Sequence, residues 1–562
     1  MAEVITEMVL PGTYIDVRAE GLISVGGIVT GRIGIVGTAA RGPVLTPVSL
    51  GSYSQAKEIF GDYDPWVDGA SNELTLVRAL EQCFNNGATD VLAVRVKGSD
   101  PVGSSASLAD VDGAPQITIR AKDLGSWANG STAEVRTVIL RERRAFTVAD
   151  SAPFGNGRTT LQLPHAGLLR RGGAVGALTG ADISVANRTT GATYMLDPSP
   201  GAGEFNVNAT SGLITFGEAQ TADHLLEVTY YRPATEVALT LPNGLQEVYT
   251  DVPTASALAT ALSASAFFTG AVVTTPSGRP LRTGVVTFAG GSDGANASAV
   301  DYAEGIALFE SQDINFVLAA GQGTAIASVL TGHCEVMENN GRERIALMGS
   351  DLGEDAAQIL GHLSAIADDR LIFVGPGIKA VDAAASAAQR TRVEVTLPGA
   401  YSAAAVAGLL ASLPVHHSPT NKTLSIVGLE REFLRPDLKQ LVQGRVLALE
   451  KKNGFRVVRG ITTDTAAFAQ ITTRRIVDYA KMGIRMGSLP YIGRLNNERV
   501  RKALRGTLDG FLTTMVLDEA LTSYELAVTA TRADEIAGRC LVTVFLRPTF
   551  SIDFIKVTMF LE

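Results

Sequence analysis

Cysteine, histidine and net positive charge are all scarce in this sequence, and each scarcity closes off a class of function. The three cysteines, Cys83, Cys334 and Cys540, are far apart, odd in number and without a CxxC pair. That argues against a disulfide framework and a structural zinc site, and leaves three reduced, mostly buried thiols. Of six histidines only His416 and His417 are adjacent. Neighbouring residues point to different sides of a strand or helix, so the pair is poorly placed to share a metal. No HExxH and no GxSxG occurs. The net charge is −9, which disfavours general nucleic-acid binding because that binding relies on clustered Lys and Arg. Nowhere do about 18 apolar residues run together, so no membrane insertion is expected. The start, Met1 to Glu7, carries acids where a signal peptide needs positive charge, and synthesis and folding in a cytoplasm are expected.

The remaining catalytic templates are equally weak. Gly31, Gly34 and Gly37 are spaced by three, unlike the GxGxxG of dinucleotide sites. Gly321-Gln322-Gly323-Thr324 lacks the lysine of a phosphate loop. Asp368-Asp369 and the group Asp351, Glu354, Asp355 read as loop and helix-start acids rather than as an acid/base pair. No catalytic residue, cofactor-binding residue or metal ligand is therefore assigned, and no cofactor is expected.

What the chain does have is folding capacity. Of its 562 residues 46% are hydrophobic and 19% charged, and 58 are glycine, the profile of a folded protein of several domains with many turns. Thr13 to Val17 alternates like a strand after Pro11-Gly12. Residues 31–96 run strand, helix, strand, the order of a crossover unit. From about 101 to 285 the text is rich in turns and short alternating runs, such as Leu226 to Tyr231, and predicts one or two inserted β-domains. Strands alternating with helices resume near Gly290, which predicts a sheet covered on both faces. After about 395 the pattern is α+β, with helices over Thr472–Met486 and Asn496–Met515. The segment beyond Pro548 is again strand-like.

The second of those helices carries two faces. Val500, Leu504, Leu508, Phe511, Leu512 and Met515 form an apolar stripe. Arg494, Arg499, Arg501, Lys502 and Arg505 gather basic charge with only Glu498 against it, a face suited to an acidic partner.

Taken in order, several segments resemble the contractile tail sheath family of phages and related injection machines. Leu10-Pro11-Gly12-Thr13-Tyr14-Ile15 is similar to the family's opening "PGVY". Gly34 to Pro43 is similar to its "G..G.A..GP" strand and turn, with Phe60-Gly61 following. Ala121 to Gly130 is similar to "AK.PG.WGN", with Leu124 in place of Pro and Ala128 in place of Gly. Gly290 to Gly294 with Tyr302 is similar to the point where the core resumes. Thr472-Thr473-Arg474-Arg475 and Tyr491 to Asn497 are similar to its C-terminal domain.

The resemblance implies an α+β multidomain chain. Its parts would be an arm over 1–20, a discontinuous α/β core over 21–100 and 286–394, and β-rich inserted outer domains over 101–285. A C-terminal assembly domain over 395–548 and a second arm over 549–562 would follow. It implies assembly by strand exchange through Tyr14, Ile15 and Val17 at one end and Phe554, Ile555, Val557 and Met559 at the other. Arg499, Arg501, Lys502 and Arg505 would meet an inner tube. The implied partners are further copies in a helical sheath of stacked hexameric rings, the tail tube protein, and baseplate and tail terminator proteins. The implied place is the virion tail, assembled in the host bacterial cytoplasm. Another self-assembling tail or baseplate protein is the alternative, and an enzyme a more distant one.

Overall fold

The computed structural model describes residues 28–67, 74–148, 153–364 and 366–560. The chain divides into two compact units, one formed by the segments up to Ser99 and from Ala295 onward, the other by Asp100–Gly294.

The first unit is built on a nine-stranded sheet. Its centre is parallel: Val91–Val96, Ile33–Thr38, Phe316–Ala319, Ile345–Gly349, Leu371–Gly375 and Leu447–Lys451 lie side by side in that order. Short antiparallel strands close both edges. Strand residues alternate between two cores, as the two-residue period of a strand requires. Ile33, Ile35, Phe316, Leu318, Ile345, Leu347, Ile372 and Val374 face one; Val36, Val317, Ala346, Met348, Leu371 and Phe373 face the other. The first core is covered by helices Tyr53–Phe60, Leu76–Asn85 and Gly399–Ser412; the second by Ala299–Ala307, Ala327–Asn339, Ala356–Leu363 and Arg435–Gln443. Both faces being buried explains why these strands read as continuous apolar runs. The sheet does not stop at residue 395: Leu447–Lys451 extends it, followed by antiparallel Phe455–Val457 and then Thr423–Leu424.

The glycines that failed as a nucleotide motif have a packing role. A Cβ on Gly34 would stand 2.5 Å from Ile314, and one on Gly37 would stand 2.8 Å from Ala320. Neither approach leaves room for a side chain.

The second unit carries two cores on one ribbon. Strands Thr132–Thr147 and Leu225–Thr240, 16 residues each, pair antiparallel along their whole length. One end, with Ala133, Val135, Val237 and Leu239, packs with the three-stranded sheet Ser105–Ala109, Pro115–Ala121, Phe268–Val272 and helix Ala255–Leu262. The other end, with Leu226, Val228 and Tyr230, packs with Leu161, Val185, Phe205, Ile214 and Phe216 from short strands. The two cores thus share one pair of strands within a single compact unit.

Candidate assembly surface

The last hundred residues form a layer of their own within the first unit. Helix Ile471–Ser488 crosses helix Glu498–Leu517, and the hairpin Leu521–Thr529/Leu541–Pro548 lies on the second helix. The apolar stripe of the second helix decides this packing: Leu504, Leu508, Phe511, Leu512 and Met515 are buried. The helices approach closely at Gly483, where a Cβ would stand 2.0 Å from the Phe511 ring. Tyr524, Leu526, Val528, Val542, Val544 and Leu546 turn one face of the hairpin onto this layer.

Two features leave the hairpin open. It is a two-stranded sheet, and among the described residues neither outer edge is paired. Its other face shows Leu541 and Phe545 at 50% and 64% exposure. A lone two-stranded ribbon is marginal, and unpaired edges are templates for a further strand.

A segment suited to such an edge follows directly. Ser551–Phe560 holds no helix or strand. Phe554, Ile555, Val557 and Met559 are 80%, 81%, 73% and 86% exposed. The strand expected here is thus unformed within the single chain, because a strand needs a partner for its N–H and C=O groups. Tyr14, Ile15 and Val17 lie outside the described residues.

The structure separates the basic residues of Glu498–Leu517. Arg501 is half-buried, with its Nη1 3.0 Å from Glu535 Oε1 and 3.0 Å from Asn496 Oδ1. Arg532 and Arg501 together hold the Glu535 carboxyl below its usual range. Arg501 therefore fastens the short helix in the hairpin's turn, Arg532–Ile536, to the start of the long helix. Arg499, Lys502 and Arg505 are exposed, although Lys502 also lies 2.8 Å from Glu498 one turn back. Those three are the exposed basic side chains of the helix, and Arg494 lies over the Tyr491 ring. Reversing Lys502 and Arg505 to Glu is expected to leave the thermal midpoint within about 2 °C, since exposed pairs contribute only about 0–1 kcal/mol. Arg501→Glu is expected to lower it measurably by setting two acids face to face. Thermal unfolding of the purified variants compares the two.

Pattern reading missed the ion network beneath this layer. Arg370, 2% exposed at its side chain, donates to both oxygens of Glu338 at 2.7 Å and to Asp478 at 2.9 and 3.1 Å. Arg474 pairs with Asp369 at 2.5 Å and Asp478 at 2.7 Å, and Lys481 with Glu338 at 2.7 Å. Arg475 is wholly buried and donates to the carbonyls of Thr30, Leu413 and Pro414; burial draws its pKa down to about 10. The Arg474-Arg475 pair noted in the sequence is thus structural. Its only sequence signal was two arginines within an otherwise regular helical pattern.

One trio of possible metal ligands occurs among the described residues. Asp351, Glu354 and His362 bring ligand atoms within 4.8 Å of one another. Their own contacts account for them: Thr324 donates to Asp351, the Asp351 N–H donates to Glu354, and His362 bonds Glu354. The fold, not the spacing, unites His362 with the two acids. No helix among the described residues is long and apolar enough to cross a membrane.

This arrangement has counterparts. Residues 295–463 match the phage tail sheath protein central domain, and residues 463–562 the phage tail sheath C-terminal domain. The sheath tail protein of Desulfitobacterium hafniense is similar in structure, with a TM-score of 0.58 at 14% identity, over 96% of this chain and 100% of that one. A sheath tail protein of Listeria innocua gives 0.55 at 13% identity, over 93% and 96%. At such identities the likeness is one of fold. No curated protein matches the chain.

Proposed function

We propose that this chain, which matches the phage tail sheath central and C-terminal domains over residues 295–562, is the structural subunit of a contractile tail sheath. Copies polymerise helically around an inner tube and contract to drive that tube through a target envelope, without catalysis or a cofactor. The observation that carries this reading is the match of need and supply at the C-terminus. A two-stranded hairpin whose edges are unpaired among the described residues is followed by a terminal segment whose apolar side chains are largely exposed. A strand passed to another copy satisfies both, through main-chain hydrogen bonds and side-chain packing. The N-terminal residues Tyr14, Ile15 and Val17 supply a second such strand.

In this reading the exposed Arg499, Lys502 and Arg505 hold the sheath in register on an acidic tube. Each contact is weak, and the repeated lattice is firm yet releasable. Contraction is then a rotation of subunits from a metastable lattice into one with more buried contact. The tube, baseplate and tail terminator proteins are the other partners, and the finished tail is the place of action.

Removing residues 1–20 tests the proposal. A sheath subunit stays folded by circular dichroism and sediments as a monomer, while the full chain forms sleeves visible by negative-stain microscopy. Sleeves of normal length from the shortened chain would refute it.

A further inference from the structure

One residue of the exposed terminal segment behaves unlike its neighbours. The Asp553 side chain is 7% exposed, whereas Ile552 and Phe554 on either side are each 80% exposed. Hydrophobic burial would have drawn in the opposite set, so a polar contact decides the conformation. Arg459 Nε lies 2.8 Å from Asp553 Oδ2, and Gln470 Nε2 lies 3.2 Å from the same oxygen. Thr420 Oγ1 is 3.4 Å from Oδ1 and also accepts the Gly460 N–H at 3.0 Å. Ser551 donates to Gln470 at 3.4 Å, and the Arg459 guanidinium lies over the Phe554 ring at 5.4 Å.

The location of this socket matters as much as its contents. Gln470 is the N-cap residue of helix Ile471–Ser488. In the first turns of the same helix, Arg475 holds the carbonyl of Thr30 at 3.3 Å, where the described chain begins near Ile28. Five residues of helix rise separate the two fastenings, about 7.5 Å along the axis. Thr30 and Asp553, each near one limit of the described residues, are thus both tied near the start of one helix.

We infer that Thr420, Arg459 and Gln470 form a mooring for the C-terminal arm, gripping Asp553 so that the residues beyond it leave from a fixed point toward a second copy of this chain. The inference rests on the strand-donating reading and adds the residue that aims the strand. If the grip is lost, the next fastening of the backbone is the Thr549 N–H to Ala520 O bond at 3.1 Å. The tether then gains four residues of slack, and the effective concentration of the arm at its acceptor falls with tether length. Asp553 and Arg459 are positioning residues in this scheme; they do not touch the acceptor.

The test compares full-length chains by the critical concentration for sleeve formation, read by sedimentation and negative stain. Asp553→Ala and, separately, Arg459→Gln are expected to raise it threefold or more with an unchanged thermal midpoint. The exchanged pair Arg459→Asp with Asp553→Arg is expected to restore it in part. A chain ending at Asp553 supplies the control. If both point variants assemble like the parent while the shortened chain does not assemble, the mooring is wrong and strand donation survives. If the shortened chain also assembles normally, strand donation from this end fails and the mooring falls with it.

Discussion

Aspartate at both Ile555 and Val557 is expected to abolish sleeve formation and to leave the subunit folded. The two side chains are 81% and 73% exposed in the single chain, so replacing them costs the monomer almost no burial. In a donated strand the same side chains enter an apolar surface, and burying each contributes about 1.5–3 kcal/mol. Losing both and forcing two carboxylates against that surface removes at least about 3 kcal/mol per junction, which at about 1.4 kcal/mol per factor of ten is over 100-fold in association. Analytical ultracentrifugation and melting curves check the two halves of the expectation. Wild-type sleeves from the double variant would sink strand donation by this arm; a lowered melting point would show that the segment packs on its own subunit.

Arg370→Ala is expected to lower stability more than Arg501→Glu or Glu338→Gln does. Its guanidinium is almost fully buried, and burial by itself would lower its pKa, yet hydrogen bonds and charge from Glu338 and Asp478 raise it. Truncation removes the cation shared by two carboxylates, leaving Glu338 with Lys481 and Asp478 with Arg474. Breaking a buried pair by removing one partner costs about 3–5 kcal/mol. The effect falls where helix Ile471–Ser488 meets the ends of the parallel strands, so the assembly layer is expected to loosen first. Hydrogen exchange of that helix against the sheet checks this.

The same network fixes a pH dependence. Hydrogen bonds from Arg370, with Lys481 beside it, hold Glu338 well below the usual carboxylate range. At Glu343 burial pushes upward, but Arg485, a backbone hydrogen bond and Lys481 together outweigh it and the net shift is also downward. A carboxylate whose folded pKa lies below its unfolded value of about 4.3 stabilises fully above that value. The contribution is lost as pH falls toward the folded pKa. The melting point is therefore expected to be flat from about pH 5 to 7 and to fall steeply below pH 4. Glu338→Gln should melt lower at neutral pH and show a shallower acid slope.

Much of the first unit was legible because both sheet faces are covered. Apolar runs such as Ile345 to Met348 and Leu371 to Val374, spaced by amphipathic helices, admit few other arrangements. The insertion was legible as β but not as two cores, because nothing local in Thr132–Thr147 marks where one core ends and the next begins. Only the partner strand Leu225–Thr240, about ninety residues away, sets that division. At the assembly surface, the buried stripe of Glu498–Leu517 followed from helical period alone. The division of its basic residues did not. Arg501 and Lys502 are adjacent in sequence, yet Glu535 reaches one and not the other. Nothing local in the sequence marks Asp553; its burial depends on Arg459 and Gln470, which are distant in sequence.

By itself the sequence determined the elements and their faces, since periodicity and turn chemistry act over a few residues. It also determined that the last dozen residues are apolar enough to form a strand. Tertiary structure decided which charges are spent inside the subunit, where Thr30 and Asp553 are tied, and that residues 551–560 join no ladder among the described residues. These depend on groups far apart in sequence meeting in space, and charge and hydrogen bonding act only at that range.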